Sequence, residues 1–143
     1  MELIFPRLEQ EELMKISSLG LAHVGDGVYE LLARTYTART SGGLAGQMHQ
    51  RTTRLARASF QSKAALCLLE QKALLPEEEE VYRRGRNSHS HAAPKSASPE
   101  EYARATGLEA VFGWLYLNGE QERICQLFES ILAISLGGEQ KKS

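Results

Sequence analysis

The sequence predicts an all-α fold in one domain. Three observations carry that reading. Apolar residues recur at helical spacing from about Ser18 to Leu136, and no run alternates as a half-buried strand would. Helix-boundary signals recur along the chain, in Ser41-Gly42-Gly43, in Pro76 ahead of Glu77 to Glu80, and in Ser98-Pro99-Glu100-Glu101. A length of 143 residues, 42% of them hydrophobic, suffices for one core but not for a second full module.

A short helix is expected near Glu9 to Met14, then a long one from about Ser18 to Arg39. After the Gly42-Gly43 turn, a second long helix is expected from Leu44 to Lys72. Its apolar stripe is Leu44, Met48, Leu55, Leu66 and Leu69, with a break near Ser59 to Ser62. Pro76 suits a first helical turn, where the glutamates face the positive end of the helix dipole; that helix should end near Arg86. Asn87 to Pro99 reads as a loop. Ser98 then caps a helix with Pro99 at its first position and Glu101 at the third. Beyond Thr106 this helix is apolar on every side except at Glu109, so it should be the central buried helix, closed by Asn118-Gly119. The last helix, Glu120 to Leu136, is amphipathic through Ile124, Leu127, Phe128, Ile131 and Leu132, and residues 137–143 should fray.

Composition narrows the function classes. No stretch of roughly 18 uninterrupted apolar residues offers a membrane span, and the N-terminus lacks a secretory pattern. Cys67 and Cys125 are isolated in apolar helical sequence and read as reduced core residues of a cytoplasmic protein. No Cys/His spacing suggests zinc. The net charge of −1 hides a segregation. Arg34, Arg39, Arg51, Arg54, Arg57 and Lys63 fall in a segment without acids, as do Arg83, Arg84, Arg86 and Lys95. Such segregation suits a polyanion-binding face, or equally a set of solvated helix faces.

Two carboxylates stand apart. Asp26, the one aspartate of the chain, sits between Gly25 and Gly27 in an apolar helical segment. Its i−4, i+3 and i+7 neighbours are Ala22, Tyr29 and Ala33, so another backbone can approach closely. The alternative is a helix N-cap after Gly25. Glu109 lies still deeper in apolar sequence, with an arginine pair, Arg104 among the candidates, as its alternative explanation. Burying a charge is costly unless something pairs with it. Two such acids far apart in sequence point to a shared divalent metal, and hard oxygen ligands favour Mg²⁺, with Mn²⁺ as a substitute.

Val24-Gly25-Asp26-Gly27-Val28-Tyr29-Glu30 resembles the signature helix of ribonuclease III, and Thr106-Gly107-Leu108-Glu109-Ala110-Val111-Phe112-Gly113-Trp114 resembles its second acidic helix. His49-Gln50-Arg51-Thr52-Thr53 and Arg84-Gly85-Arg86-Asn87-Ser88 resemble the shortened bacterial branch of that family, in the same order along the chain. The resemblance implies the helical endonuclease-domain fold over residues 1–143 without a double-stranded-RNA-binding domain. It also implies a homodimer, Mg²⁺-dependent endoribonuclease activity on double-stranded RNA, 5′-phosphate products, and a role in ribosome biogenesis through maturation of precursor large-subunit ribosomal RNA. Asp26 and Glu109 correspond to catalytic, metal-binding acids. The full-length family has two further carboxylates, four residues before Asp26 and three before Glu109; here these positions hold Ala22 and Thr106, as in the shortened branch. Glu30 reads as a helix-surface acid.

The contacts expected with RNA are Arg51, Arg84, Arg86, Asn87, His89 and Lys95, reading duplex shape through the backbone. Arg54 and Arg57 are weaker candidates. The competing reading is a noncatalytic double-stranded-RNA-binding homodimer with a degenerate metal site.

Overall fold

The computed structural model describes residues 7–88 and 97–142, with side chains through residue 137. Seven helices follow in order: α1 (Gln10–Met14), α2 (Ser18–Thr40), α3 (Ala45–Ala56), α4 (Ala58–Glu70), α5 (Pro76–Arg86), α6 (Pro99–Leu117) and α7 (Gln121–Lys142). No strand occurs among the described residues, and no helix among them is long and apolar enough to cross a membrane.

Local chemistry sets the boundaries. The Ser17 hydroxyl accepts the Gly20 N–H at 3.0 Å and starts α2. Ser98 and Glu101 form the reciprocal capping box at the head of α6. The second long helix divides at Arg57, whose φ of −66° and ψ of 147° are extended, so the break falls slightly before the expected Ser59. The N-cap alternative for Asp26 is excluded: α2 is capped at Ser17, placing Asp26 well inside the helix.

The segment of α6 from Ala105 to Gly113 is buried at every position but Glu109, and the other helices wrap it. Its glycines set the packing distance. A Cβ on Gly25 would lie 1.6 Å from the Glu109 carbonyl oxygen, and one on Gly113 would lie 1.9 Å from that of Leu21. Helices α2 and α6 therefore cross backbone to backbone at Gly25 and Gly113. On the far side, a Cβ on Gly107 would meet Tyr82 of α5 at 2.8 Å. Below the crossing, Tyr29 packs edge-on against Phe112 and Phe128, with centroids 5.5 and 5.6 Å away. Its hydroxyl donates to the Leu55 carbonyl at 2.6 Å. Leu68, Leu108, Leu115, Leu127 and Ile131 complete this core, each worth about 1.5–3 kcal/mol on burial. Cys67 and Cys125 are both free, but Cys125 is exposed rather than in the core, because it lies on the outer face of α7.

A candidate two-carboxylate site

The glycine crossing positions the acids. Asp26 follows Gly25 on α2, and Glu109 supplies the carbonyl that a Gly25 side chain would strike. The two carboxyl groups are near enough that Asp26 acts directly on the ionisation of Glu109. Their burial is unequal. Glu109 is largely covered, whereas Asp26 is exposed, contrary to the expectation of two buried acids. The apolar residues near Asp26 in sequence point to other sides of the helix: Leu21, Ala22, Gly25 and Tyr29 are buried, while His23, Asp26 and Gly27 face outward. Gly27 has nothing within 4 Å of its would-be Cβ, so only Gly25 of the bracketing pair serves packing.

Desolvation pushes the Glu109 carboxyl up to about 8, and the Asp26 charge and a hydrogen bond to Asp26 push in the same direction, while the Gln61 amide opposes them. Burial and a like charge both disfavour ionisation of the Glu109 carboxyl. The arginine alternative does not hold. Arg104 reaches Ser62 Oγ at 3.3 Å and Glu100 at 4.0 Å, and among the described residues no ion pair engages Asp26 or Glu109. Nor does a third His, Cys, Asp or Glu join them among those residues. Two hard-oxygen acids pressed together without a cationic side chain fit a divalent cation, which would remove their mutual repulsion. The Tyr29 phenol nearby is held protonated by burial and, secondarily, by the Glu109 charge.

Glu30, one turn beyond Asp26, pairs with Arg34 at 3.0 Å on the surface. Together they open a groove between α2 and α3 of about 430 Å³, which His49, Thr53 and Arg57 also line. Arg51 donates to Ser41 Oγ at 2.7 Å and lies 5.7 Å from the Tyr36 ring centroid, bracing α2 against α3. Arg84 is exposed and bonded to Glu80 at 2.9 Å, beside Arg83, which bonds the same carboxylate. Arg86 covers the Tyr82 ring and reaches Asn87 Oδ1 at 3.2 Å. His89 and Lys95 lie outside the described residues.

Three polar residues that the sequence does not single out have structural roles. Glu78 reads as one of four solvated glutamates, yet it is 1% exposed. Arg123 holds both its oxygens at 2.8 Å. Gln61 is buried beside Glu109, and its one signal was a polar side chain in the apolar stretch leading to Leu68.

The model of the ribonuclease III domain matches residues 19–120, a span that includes both acids. The chain belongs to the ribonuclease III family. Among curated family relatives, the Mini-ribonuclease 3 of Symbiobacterium thermophilum is 38% identical over 82% of this chain and 88% of its own length. That of Clostridium tetani is 36% identical over 86% and 81%, and that of Staphylococcus aureus 30% over 88% and 94%. The crystal structure of protein FN1578 from Fusobacterium nucleatum superposes with a TM-score of 0.76 at 28% identity, covering 83% of this chain and 95% of that one. The all-α family fold expected from the sequence is the fold observed.

Proposed function

We propose that the chain is a Mg²⁺-dependent endoribonuclease that cleaves double-stranded RNA, with Asp26 and Glu109 as its catalytic, metal-holding acids. The observation that carries this reading is the juxtaposition of the two carboxylates at the Gly25–Gly113 crossing, without a guanidinium or ammonium of the described residues between them. Bound there, a divalent cation supplies Lewis-acid polarisation of a phosphate and acidifies a water for attack. The chain's own part is to hold the acids rigidly. The backbone contact fixes Glu109, and α2 presents Asp26 outward, where a phosphate can arrive. The groove lined by Glu30, Arg34 and Arg57, which begins one helical turn along α2 from Asp26, offers a polyanion guanidinium partners.

The substrate in this reading is precursor large-subunit ribosomal RNA and the products carry 5′-phosphates, following the relatives' family. The active unit is a cytoplasmic homodimer, which brings two acid pairs to one duplex. Leu19 and Leu31, exposed on α2 to either side of Asp26, are its expected seam; Leu31 is 62% exposed in the single chain. Incubation with duplex RNA, single-stranded RNA and duplex DNA, with Mg²⁺ or with EDTA and followed by end analysis, tests the proposal. Mg²⁺-dependent cutting confined to duplex RNA, with 5′-phosphate ends, is expected. Duplex binding without cutting under any divalent cation would favour the noncatalytic RNA-binding dimer instead.

A further inference from the structure

Gln61 lies in the first turn of α4, just past the break at Arg57, and is 3% exposed. Its Nε2 donates to the Ala56 carbonyl, the last of α3, at 2.8 Å. A carbonyl oxygen only accepts, so this bond fixes which end of the amide is nitrogen and turns Oε1 the other way. The Gln61 side chain also lies close enough to Glu109 to favour its carboxylate form. Oε1 is then buried with no hydrogen-bond partner, the only side-chain nitrogen or oxygen so placed among the described residues. An unfilled buried acceptor costs about 1–3 kcal/mol, a cost that Leu or Met at this position would avoid. The site beside it explains the choice. A Mg²⁺ ion held by one or two carboxylates keeps several waters, and a water whose oxygen faces the cation offers only its hydrogens to the protein.

We propose that Gln61 is a positioning residue of the acid pair: one amide N–H orients the Glu109 carboxylate, and Oε1 accepts a hydrogen bond from a water of the cation. The inference rests on the reading of Asp26 and Glu109 as the cation site. Gln61 is buried, so its effect falls on cation affinity before any substrate is present.

The test titrates the full chain with Mn²⁺ in the absence of RNA, following the free ion by electron paramagnetic resonance. It uses the wild type, Gln61→Met, Gln61→Glu and Glu109→Gln, and thermal unfolding of each is recorded in metal-free buffer. Gln61→Met is expected to weaken Mn²⁺ binding roughly 10- to 100-fold, the range of losses typical for residues that support metal ligands. Its metal-free melting temperature should stay within a few degrees of the wild type. Gln61→Glu keeps an acceptor oxygen, and its negative charge offsets the lost N–H, so it should bind Mn²⁺ within tenfold of the wild type. A folded Gln61→Met with wild-type Mn²⁺ affinity overturns the proposal and confines Gln61 to joining α3 and α4. Should Gln61→Met fail to fold, a tenfold or greater loss of affinity in Gln61→Glu overturns it as well. A wild-type affinity left unchanged by Glu109→Gln overturns the acid-pair reading itself, a failure distinct from that of Gln61.

Discussion

At position 25 a single methyl group would have to occupy the space of the Glu109 carbonyl, 1.6 Å away, while two residues on, at position 27, it would meet nothing. The two glycines flanking Asp26 therefore predict opposite outcomes. Gly25→Ala should force α2 off α6 and destabilise by about 3 kcal/mol or more, at the upper end of overpacking costs because the obstacle is backbone. Gly27→Ala should raise stability by roughly 1 kcal/mol through helix propensity. Chemical denaturation of both variants checks the pair; equal effects would mean that the helices do not cross at Gly25. The sequence shows the two glycines as equivalents. Only the partner helix distinguishes them, which is why the resemblance could point to Asp26 while leaving its exposure misjudged.

Helix ends were legible because capping is local. Ser98 and Glu101, Pro76, and the Asn118-Gly119 stop all act within a few residues of the boundary they set. The Glu78–Arg123 pair was not legible, since its partners are 45 positions apart. Nothing in four successive glutamates marks the one that turns inward. Glu78 also accepts the Leu75 N–H at 2.9 Å, so it caps α5 while Arg123 ties α7 to both Glu78 and the Ala73 carbonyl. Arg123→Ala should leave a buried carboxylate unpaired and cost about 3–5 kcal/mol. Adding Glu78→Gln should recover part of that loss. A melting temperature unchanged in Arg123→Ala would show that the pair is not structural. At this scale too, the division of the expected long helix at Arg57 has a consequence: it turns α4 so that Gln61 comes beside Glu109.

For the whole molecule, the acid pair links stability to pH and, on the proposed reading, to cations. Glu109 keeps its proton up to about 8 in the folded chain, whereas unfolded it would ionise near 4.5. Below that lower value both states are protonated and the group carries no penalty; as pH rises from there through about 8, the unfolded state is favoured and metal-free stability falls. Glu109→Gln should therefore gain stability relative to the wild type on going from pH 5 to pH 8, by an amount on the order of a few kcal/mol. A divalent cation should raise the wild-type melting temperature more at pH 8 than at pH 5. A Glu109→Gln difference that is constant across this range would remove the mutual repulsion from the account. The proposed cation dependence needs both acids, and only cleavage shows whether it serves catalysis. The most direct measurement is duplex-RNA cleavage by Asp26→Asn at saturating Mg²⁺, with fold and oligomeric state monitored by circular dichroism and sedimentation. Loss of several kcal/mol of transition-state stabilisation should slow it roughly a thousandfold or more, in a protein otherwise like the wild type. Undiminished Mg²⁺-dependent cutting by that variant would contradict the assignment of the two acids.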